Sequence, residues 1–461
     1  MFHKSVYSAR RAKLKNAVGN GLILLLGNEE SSMNYKDNVY PFRQASTFLY
    51  FFGIDRPGVM AIMDLDNDKE TLFGDDVTVE QMIWTGFREP LELLSDQFGI
   101  SQVKEKKEFA PTVKRARSEK RNIHFLPPYR LEHVDALSSL LDVSPGVLQN
   151  MISVKLVKAV ITQRSIKSIE EVAEITKAVN TTNEMQLAAI NMAGEGMTEA
   201  EIAGKIHGIA IAAGGNLSFP TILTINGQIL HNGYSQSVLR QGNLVLCDCG
   251  AETAMHYAGD LTRTFPVGKT FTTLQKDIYT IVLEAHQAAA GMLKPGVLFR
   301  DVHLFACEKL TRGLQQLGLM KGDSKESVAV GAHALFFPCG VGHMMGLDTH
   351  DMENLGEKYV GYNDEITQSS QFGLKSLRLG KDLETGFVLT VEPGLYFNAD
   401  LIDAWQAEKK FSAFINYDKL KDYRSFSGVR VEEDFLITSQ GSIVLGEPLA
   451  KTLQEIEDCR K

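Results

Sequence analysis

Four carboxylates stand inside apolar, strand-like runs in the second half of the chain: Asp248 in VLCDCG, Asp260 in AGDLTRTFP, Glu392 in LTVEPG and Glu432 in VRVEED. An ionised carboxylate is costly in such surroundings unless it is paired or bound to a cation, so these runs must enclose something positive. His343, in the Gly-rich segment CGVGHMMG, joins them. Four carboxylates and one imidazole make an oxygen-rich donor set suited to two divalent cations of the Mn, Fe, Co or Zn type, with carboxylates bridging the pair. A two-metal site polarises a carbonyl and makes hydroxide from bound water near neutral pH. The alternative is structural, with each acid a strand-edge residue paired to Arg263 or Arg430. Taken one at a time, each acid admits either reading.

The rest of the chain sets these runs in an α+β frame. Ser168-Ile-Glu-Glu171 is a capping box ahead of EVAEITKAVNTTNEMQLAAINM, and Thr198-Glu-Ala-Glu201 is a second ahead of a helix through Ala213. A helix pair of similar texture returns about 100 residues later, where Gly196-Met197 falls opposite Gly296-Val297, hinting at two related halves. Strand-like runs begin at Thr221, Asn243, Met255, Gly386 and Gly428. Helices in pairs and strands in hairpins favour helices packed on one side of a mainly antiparallel sheet. Residues 1–165 differ: short β-like runs from Gly21, Val59, Thr71 and Asn122 alternate with helical stretches, the pattern of an α/β domain. Two domains are expected, residues 1–165 and 166–461.

Composition narrows the function classes. The chain has 461 residues, 44% of them hydrophobic, with 48 Lys and Arg against 57 Asp and Glu for a net charge of -9. That is ordinary globular composition, which excludes disordered, collagen-like and disulfide-scaffold classes. The acidic balance argues against nucleic acid as a partner. The one basic run, Lys114 to Arg121, reads as a solvated face. Five cysteines without framework spacing are expected to be free thiols in a reducing compartment. With no long apolar stretch and no signal-like N-terminus, a cytoplasmic protein without a membrane partner is expected.

The runs CDCGAE...AGDLTRTFP, GVGHMMGLDTHD, LTVEPG and GVRVEED, in that order over about 190 residues, resemble the metal-binding segments of the pita-bread metallopeptidases, the creatinase, aminopeptidase P, prolidase and methionine aminopeptidase group. The resemblance implies a C-terminal pita-bread domain, with pseudo-twofold helix pairs on a curved antiparallel sheet. It makes Asp248, Asp260, His343, Glu392 and Glu432 the ligands of two divalent ions, Mn2+ first, with Co2+, Fe2+ or Zn2+ as alternatives. Asp260 and Glu432 would bridge, and Glu392 or its neighbourhood would help activate the water between the ions. The run NVYPFRQASTFLYFFGIDRPG is similar to the N-terminal α/β creatinase-like domain of aminopeptidase P and prolidase.

GLKSLRLGKDLETGFVLTVEPGLYF and the long insert before GVRVEED look like the prolidase branch. The resemblance then implies hydrolysis of Xaa-Pro dipeptides, with aminopeptidase P action on longer peptides having proline second as the alternative. A catalytically diverged pita-bread protein is a more distant one. In that branch Arg378 binds the substrate's terminal carboxylate, a task suited to a planar guanidinium. His231 matches the substrate-binding His, His350 the His that stabilises developing tetrahedral charge, and Arg430 an Arg supporting ligands and substrate. A homodimer is implied as well. An Xaa-Pro bond is a tertiary amide without an N-H, so a compact pocket that reads the pyrrolidine ring is expected.

Several details depart from the pattern or need another reading. Cys339 stands where the family usually has a His, four residues before His343; it reads as a tolerated small residue. Asp248 and Asp260 are 12 apart, one more than is common, which calls for a bulge or longer turn between Met255 and Ala258. Cys247 and Cys249 flank Asp248 and should face away from it. His303 and Cys307, four apart on a helix, could clamp a metal, but no further ligand accompanies them and packing is the reading. Trp84 reads as core or an intersubunit contact, and His256, His286 and His333 have no partner visible in the sequence. A metal-free creatinase-like hydrolase and a non-catalytic binding module are both disfavoured, because all five ligand types are present.

Overall fold

The apolar runs that begin near Gly21, Val59, Thr71 and Asn122 become four strands of one sheet. They are β1 (Leu22–Leu26), β2 (Met60–Asp64), β3 (Lys69–Gly74) and, after a further strand β4 (Gln102–Glu105), the short β5 (Ile123–His124). The sheet order is β4-β3-β2-β1-β5, antiparallel among β1, β2 and β3 and parallel at both edges. Parallel edges need helical crossovers. Phe109, Val113 and Ala116 of helix Phe109–Ser118, together with Leu137, Leu140 and Leu141 of helix Leu131–Leu141, pack with Leu22, Leu24, Ile62 and Phe73 in one core. Across this unit Arg11, fully buried, donates to Glu70 and to the carbonyls of Phe51, Phe98 and Gly99, so its charge is paired and each guanidinium nitrogen is used. The expectation that Trp84 is core is corrected here. Helix Val79–Thr85 buries none of its residues, and Trp84 is 84% exposed.

This computed structural model describes residues 1–460, and it divides after Arg164: Met1–Arg164 with Met352–Tyr359 form one unit, and Ser165–Asp351 with the remainder from Val360 form the other. The second unit opens with two helix pairs. The first is α1 (Ile169–Met192) and α2 (Glu199–Ala212), and the capping boxes of Ser168 with Glu171 and Thr198 with Glu201 are both closed. The second is α3 (Thr273–Ala290) and α4 (Phe299–Gln316).

The two pairs are tethered by the same backbone pattern. Gly196 N-H donates to Leu239 O at 2.9 Å and Gly296 N-H to Leu383 O at 2.8 Å. Both glycines have positive φ, +91° and +82°, where a side chain would be strained. Thr198 then bridges to Val238, and Leu298 bridges to Asp382. A repeated supersecondary unit explains why the sequence texture returns after 100 residues.

Beneath these helices all strand pairs are antiparallel. Strands β6 (Ile222–Thr224), β7 (Leu244–Cys249) and β8 (Leu261–Pro266) run in the order β8-β7-β6. Strands β9 (Val388–Val391), β12 (Glu433–Thr438) and β13 (Gly441–Val444) form the second set, and β10 (Gly394–Tyr396) pairs β11 (Gly428–Arg430). The two sets are stitched together. Glu432 N-H donates to Thr262 O at 3.1 Å, and the Thr264 hydroxyl bridges the Arg430 backbone, accepting at 3.1 Å and donating at 3.0 Å.

Candidate metal centre

Strand pairing delivers the carboxylates to one place. On β7 the residues alternate, so Asp248 faces a cavity while Cys247 and Cys249 pack under α1, where Gln186 donates to Cys247 O and reaches Cys249 Sγ. The β7–β8 hairpin reads as strand from Met255 in the sequence, but β8 starts only at Leu261. A turn intervenes, with His256 at φ +66° and its N-H bonded to Thr253 O, and it absorbs the additional residue between Asp248 and Asp260. His256 has a partner after all, Glu252 at 2.8 Å. Asp260 thus enters just ahead of β8, opposite the end of β7.

The remaining acids come from the second strand set. Glu392 follows β9 directly and Glu432 precedes β12, whose register places Val391 opposite Glu433. The Gly340–Met345 segment lies along β9 as an additional strand-like edge. Thr390 N-H donates to His343 O, Glu392 N-H to Val341 O, and His343 N-H to Thr390 Oγ1. This approach requires Gly342, since a Cβ there would sit 2.0 Å from Thr390 O. His343 is thereby set beside Glu392.

His343 Nε2 lies 3.4 Å from Asp260 Oδ2 and 3.4 Å from Glu392 Oε1. Its Nδ1 is 3.1 Å from Met344 O. A carbonyl oxygen only accepts, so Nδ1 carries the proton and Nε2 presents a lone pair to the carboxylates. Donor atoms of Asp260, His343 and Glu432 all lie within 4.8 Å of one another. Glu432 Oε2 also accepts from Thr262 Oγ1 at 2.6 Å.

Arginine pairing accounts for only one of the four acids. Arg430 donates to Asp248 Oδ2 at 2.5 Å, to Tyr396 Oη at 2.8 Å and to Thr262 Oγ1 at 3.2 Å. Arg263 turns instead to Glu433, to Glu432 O and to carbonyls near Leu449. Burial, joined by neighbouring carboxylates, pushes Asp260 and Glu432 well above the usual carboxylate range, and it pushes Glu392 up to about 7. Asp248 Oδ1 is buried with no hydrogen-bond partner. Four carboxylates gathered beside an imidazole lone pair, three of them resisting ionisation, is an arrangement two divalent cations would balance, and the orphaned oxygen supplies an unused ligand. The donor set fits such a pair.

One acid escaped the sequence reading. Asp434 is fully buried, accepts from Asp260 N-H at 3.1 Å through Oδ2, and leaves Oδ1 without a partner. Burial and Asp260 push its carboxyl well above the usual range. Strand alternation from Glu432 puts residue 434 on the same face and Glu433 on the other, a signal already present in VRVEED.

A cavity of about 540 Å³ opens onto this cluster. Asp248, Asp260, Glu392 and Glu432 line it together with His343, and so do His231, His350, Arg378, Arg430 and Cys339. The His350 ring stands edge-on to His343 with centroids 4.3 Å apart. Burial lowers the His231 pKa, helped by Arg430 and opposed by Asp248. Phe219, Pro220, Ile222 and Leu230 supply an apolar wall.

Residues 173–439 match the model of metallopeptidase family M24, and residues 7–124 match that of the aminopeptidase P N-terminal domain. The Xaa-Pro dipeptidase of Homo sapiens is 30% identical over 95% of this chain and 88% of its own. A probable Xaa-Pro aminopeptidase of Fusarium vanettenii is also 30% identical, over 94% of this chain and 89% of its own. Among solved structures, Escherichia coli aminopeptidase P with the inhibitor Pro-Leu superposes with a TM-score of 0.81 at 28% identity, covering 99% of this chain and 98% of that one.

Proposed function

The chain belongs to metallopeptidase family M24 and has that family's two-domain pita-bread architecture, and from this we propose that it hydrolyses the Xaa-Pro bond of dipeptides with two divalent metal ions. The observation that carries the proposal is one cavity lined by the four carboxylates, His343, His231, His350 and Arg378. Asp248, Asp260, His343, Glu392 and Glu432 would hold the ions. When bound, the ions supply Lewis-acid polarisation of the scissile carbonyl and activation of water.

The protein side chains do the rest. Arg378 binds the free carboxylate of the substrate with its planar guanidinium and so sets the register of the peptide. The wall of Phe219, Ile222 and Leu230 receives the pyrrolidine ring, which offers apolar surface and no N-H. His231 and His350 stabilise the carbonyl oxygen as it gains negative charge. Glu392 takes a proton from the attacking water and returns it to the prolyl nitrogen as the C-N bond breaks. Arg430 holds Asp248 in place from behind.

Likeness to aminopeptidase P sustains a second reading, removal of an N-terminal residue from longer peptides with proline second. Incubating the purified protein with an Xaa-Pro dipeptide and an Xaa-Pro-Yaa tripeptide separates the two. Preferential cleavage of the dipeptide supports the proposal, preference for the tripeptide replaces it with the second reading, and cleavage of neither makes this a catalytically diverged member.

We assign Mn2+ first among the ions such donors accept, before Co2+, Fe2+ and Zn2+. Five free cysteines support a reducing, cytoplasmic setting. A homodimer is supported by Val79, Ile83, Trp84 and Phe87, each at least 75% exposed around one short helix. Among the described residues no helix is long and apolar enough to cross a membrane.

A further inference from the structure

Away from the carboxylate cluster, a second group of metal-ligating side chains is buried behind the cavity wall. His303 and Cys307 share one face of α4, and the short 3-10 helix Ala332–Leu335 brings His333 against them. Donor atoms of all three lie within 4.8 Å of one another. Cys307 Sγ is 3.4 Å from His303 Nε2, already the separation of about 3.5 Å that two ligands of a tetrahedral zinc keep. The His303 and His333 rings meet edge to face, with centroids 6.5 Å apart.

What singles out the group is unused bonding capacity. His303, Cys307 and His333 are all buried, and among the described residues His303 Nδ1 and both nitrogens of His333 have no hydrogen-bond partner. Buried polar groups are nearly always satisfied, and each orphan costs about 1–3 kcal/mol, so a His333 ring with neither nitrogen used, set beside His303 Nε2 and Cys307 Sγ, calls for an occupant. Burial pushes both imidazoles down, His303 to about 3 and His333 to about 4, so both are neutral and carry lone pairs. Cysteine sulfur with two neutral imidazoles is a borderline-soft donor set, unlike the all-oxygen-and-imidazole cluster in the cavity.

We propose that His303, Cys307 and His333 bind a third metal ion, a thiophilic divalent cation of the Zn2+ class, independent of the dinuclear centre. Binding replaces the Cys307 S-H proton, which is released, by a sulfur–metal bond, so no oxidant or reductant is involved. The ion ties α4 to the segment that runs from His333 through Phe337 to Cys339, at whose far end Cys339 lines the substrate cavity. Its role is to fix that wall rather than to touch substrate.

Cobalt is the probe. The holoenzyme is produced in medium where Co2+ replaces Zn2+ and Mn2+, and its near-ultraviolet spectrum and metal content are measured. A thiolate-to-cobalt charge-transfer band is expected, because the cavity cluster itself contains no sulfur ligand. Cys307→Ser should lose the band and one equivalent of metal per chain, while Cys339→Ser should keep both. His333→Gln serves the same purpose should Cys307→Ser fail to fold, and it too should lose the band. Absence of the band from the unmodified protein overturns the proposal, as does a band that survives Cys307→Ser or vanishes only in Cys339→Ser. The first outcome would mean that the pocket holds water alone, and the others that the sulfur ligand is elsewhere.

Discussion

Arg430 Nη2 donates a 2.5 Å hydrogen bond to Asp248 Oδ2, and the other oxygen of that carboxylate is buried with no partner. One half of Asp248 is held by protein and the other half faces the cluster. The same guanidinium pairs with one of the four clustered acids, Asp248, which sets opposite signs for two substitutions.

Arg430→Met removes the cation paired with Asp248 in a buried carboxylate cluster, and a buried charge stripped of its partner typically costs about 3–5 kcal/mol. The metal-free variant should therefore unfold at lower urea than metal-free wild type, and added Mn2+ should recover part of the loss. Asp260→Ala relieves like-charge repulsion, so its metal-free form should be at least as stable as wild type. Yet its hydrolysis should fall by about 10³-fold or more, since a group that places transition-state electrostatics is gone. Urea midpoints with and without Mn2+, read beside activity, check both signs. An Asp260→Ala enzyme near wild-type activity would sink the assignment of that ligand.

Arg378 lines the cavity, and its proposed role is to read a carboxylate that only the dipeptide presents next to proline. Arg378→Ala should raise KM for an Xaa-Pro dipeptide by about 10- to 100-fold, the worth of one charged hydrogen bond. For an Xaa-Pro-Yaa tripeptide the change should be small. Equal losses on both substrates, measured by steady-state kinetics, would remove Arg378 from this role.

Much of this was legible in the sequence because the signals are local. Capping boxes at Ser168 and Thr198 need only residues three apart, and the candidate ligand runs stand out by placing acids among apolar neighbours. What escaped depends on distant segments meeting. His333 joins His303 and Cys307 only because the 3-10 helix folds back onto α4, and neither stretch carries a trace of the other. Met352–Tyr359 clusters with the first unit although the chain on either side belongs to the second. Asp434 is a different case. Its alternation from Glu432 was readable, but a run of three acids looks like solvent-facing polarity until Glu433 is seen paired with Arg263 and Lys451.

The burial of His286 predicts sensitivity to mild acid. Burial pushes this imidazole down to about 4, opposed by Glu433 and reinforced by Arg263 and Lys451, and neither ring nitrogen has a hydrogen-bond partner. Below pH about 6.5 the unfolded chain protonates this His while the folded protein does not. Stability therefore falls as pH drops from about 6.5 to about 4, by at most about 1.4 kcal/mol per pH unit, and levels off below that. His286→Leu removes the titration and the orphaned nitrogens together, so its unfolding midpoint should depend less on pH across that window. An unchanged slope would mean that other groups govern acid lability.

Trp84 and its neighbours Val79, Ile83 and Phe87 present exposed apolar surface on and beside a helix that buries nothing of its own. In the proposed homodimer this surface is the subunit contact, so light scattering coupled to gel filtration should find the unmodified protein dimeric and Trp84→Asp monomeric, with secondary structure unchanged by circular dichroism. A variant that remains dimeric would move the subunit contact elsewhere.

The central claim is that the carboxylate cluster acts through bound divalent ions to split an Xaa-Pro bond. Its most direct test is the rate of Xaa-Pro dipeptide hydrolysis by the purified protein, before chelation, after chelator and gel filtration, and after Mn2+ is restored. The account predicts cleavage that disappears on chelation and returns with Mn2+, with about two ions per chain needed at the cavity cluster for full recovery. Undiminished hydrolysis by protein shown to be metal-free, or no hydrolysis at any metal content, would contradict it.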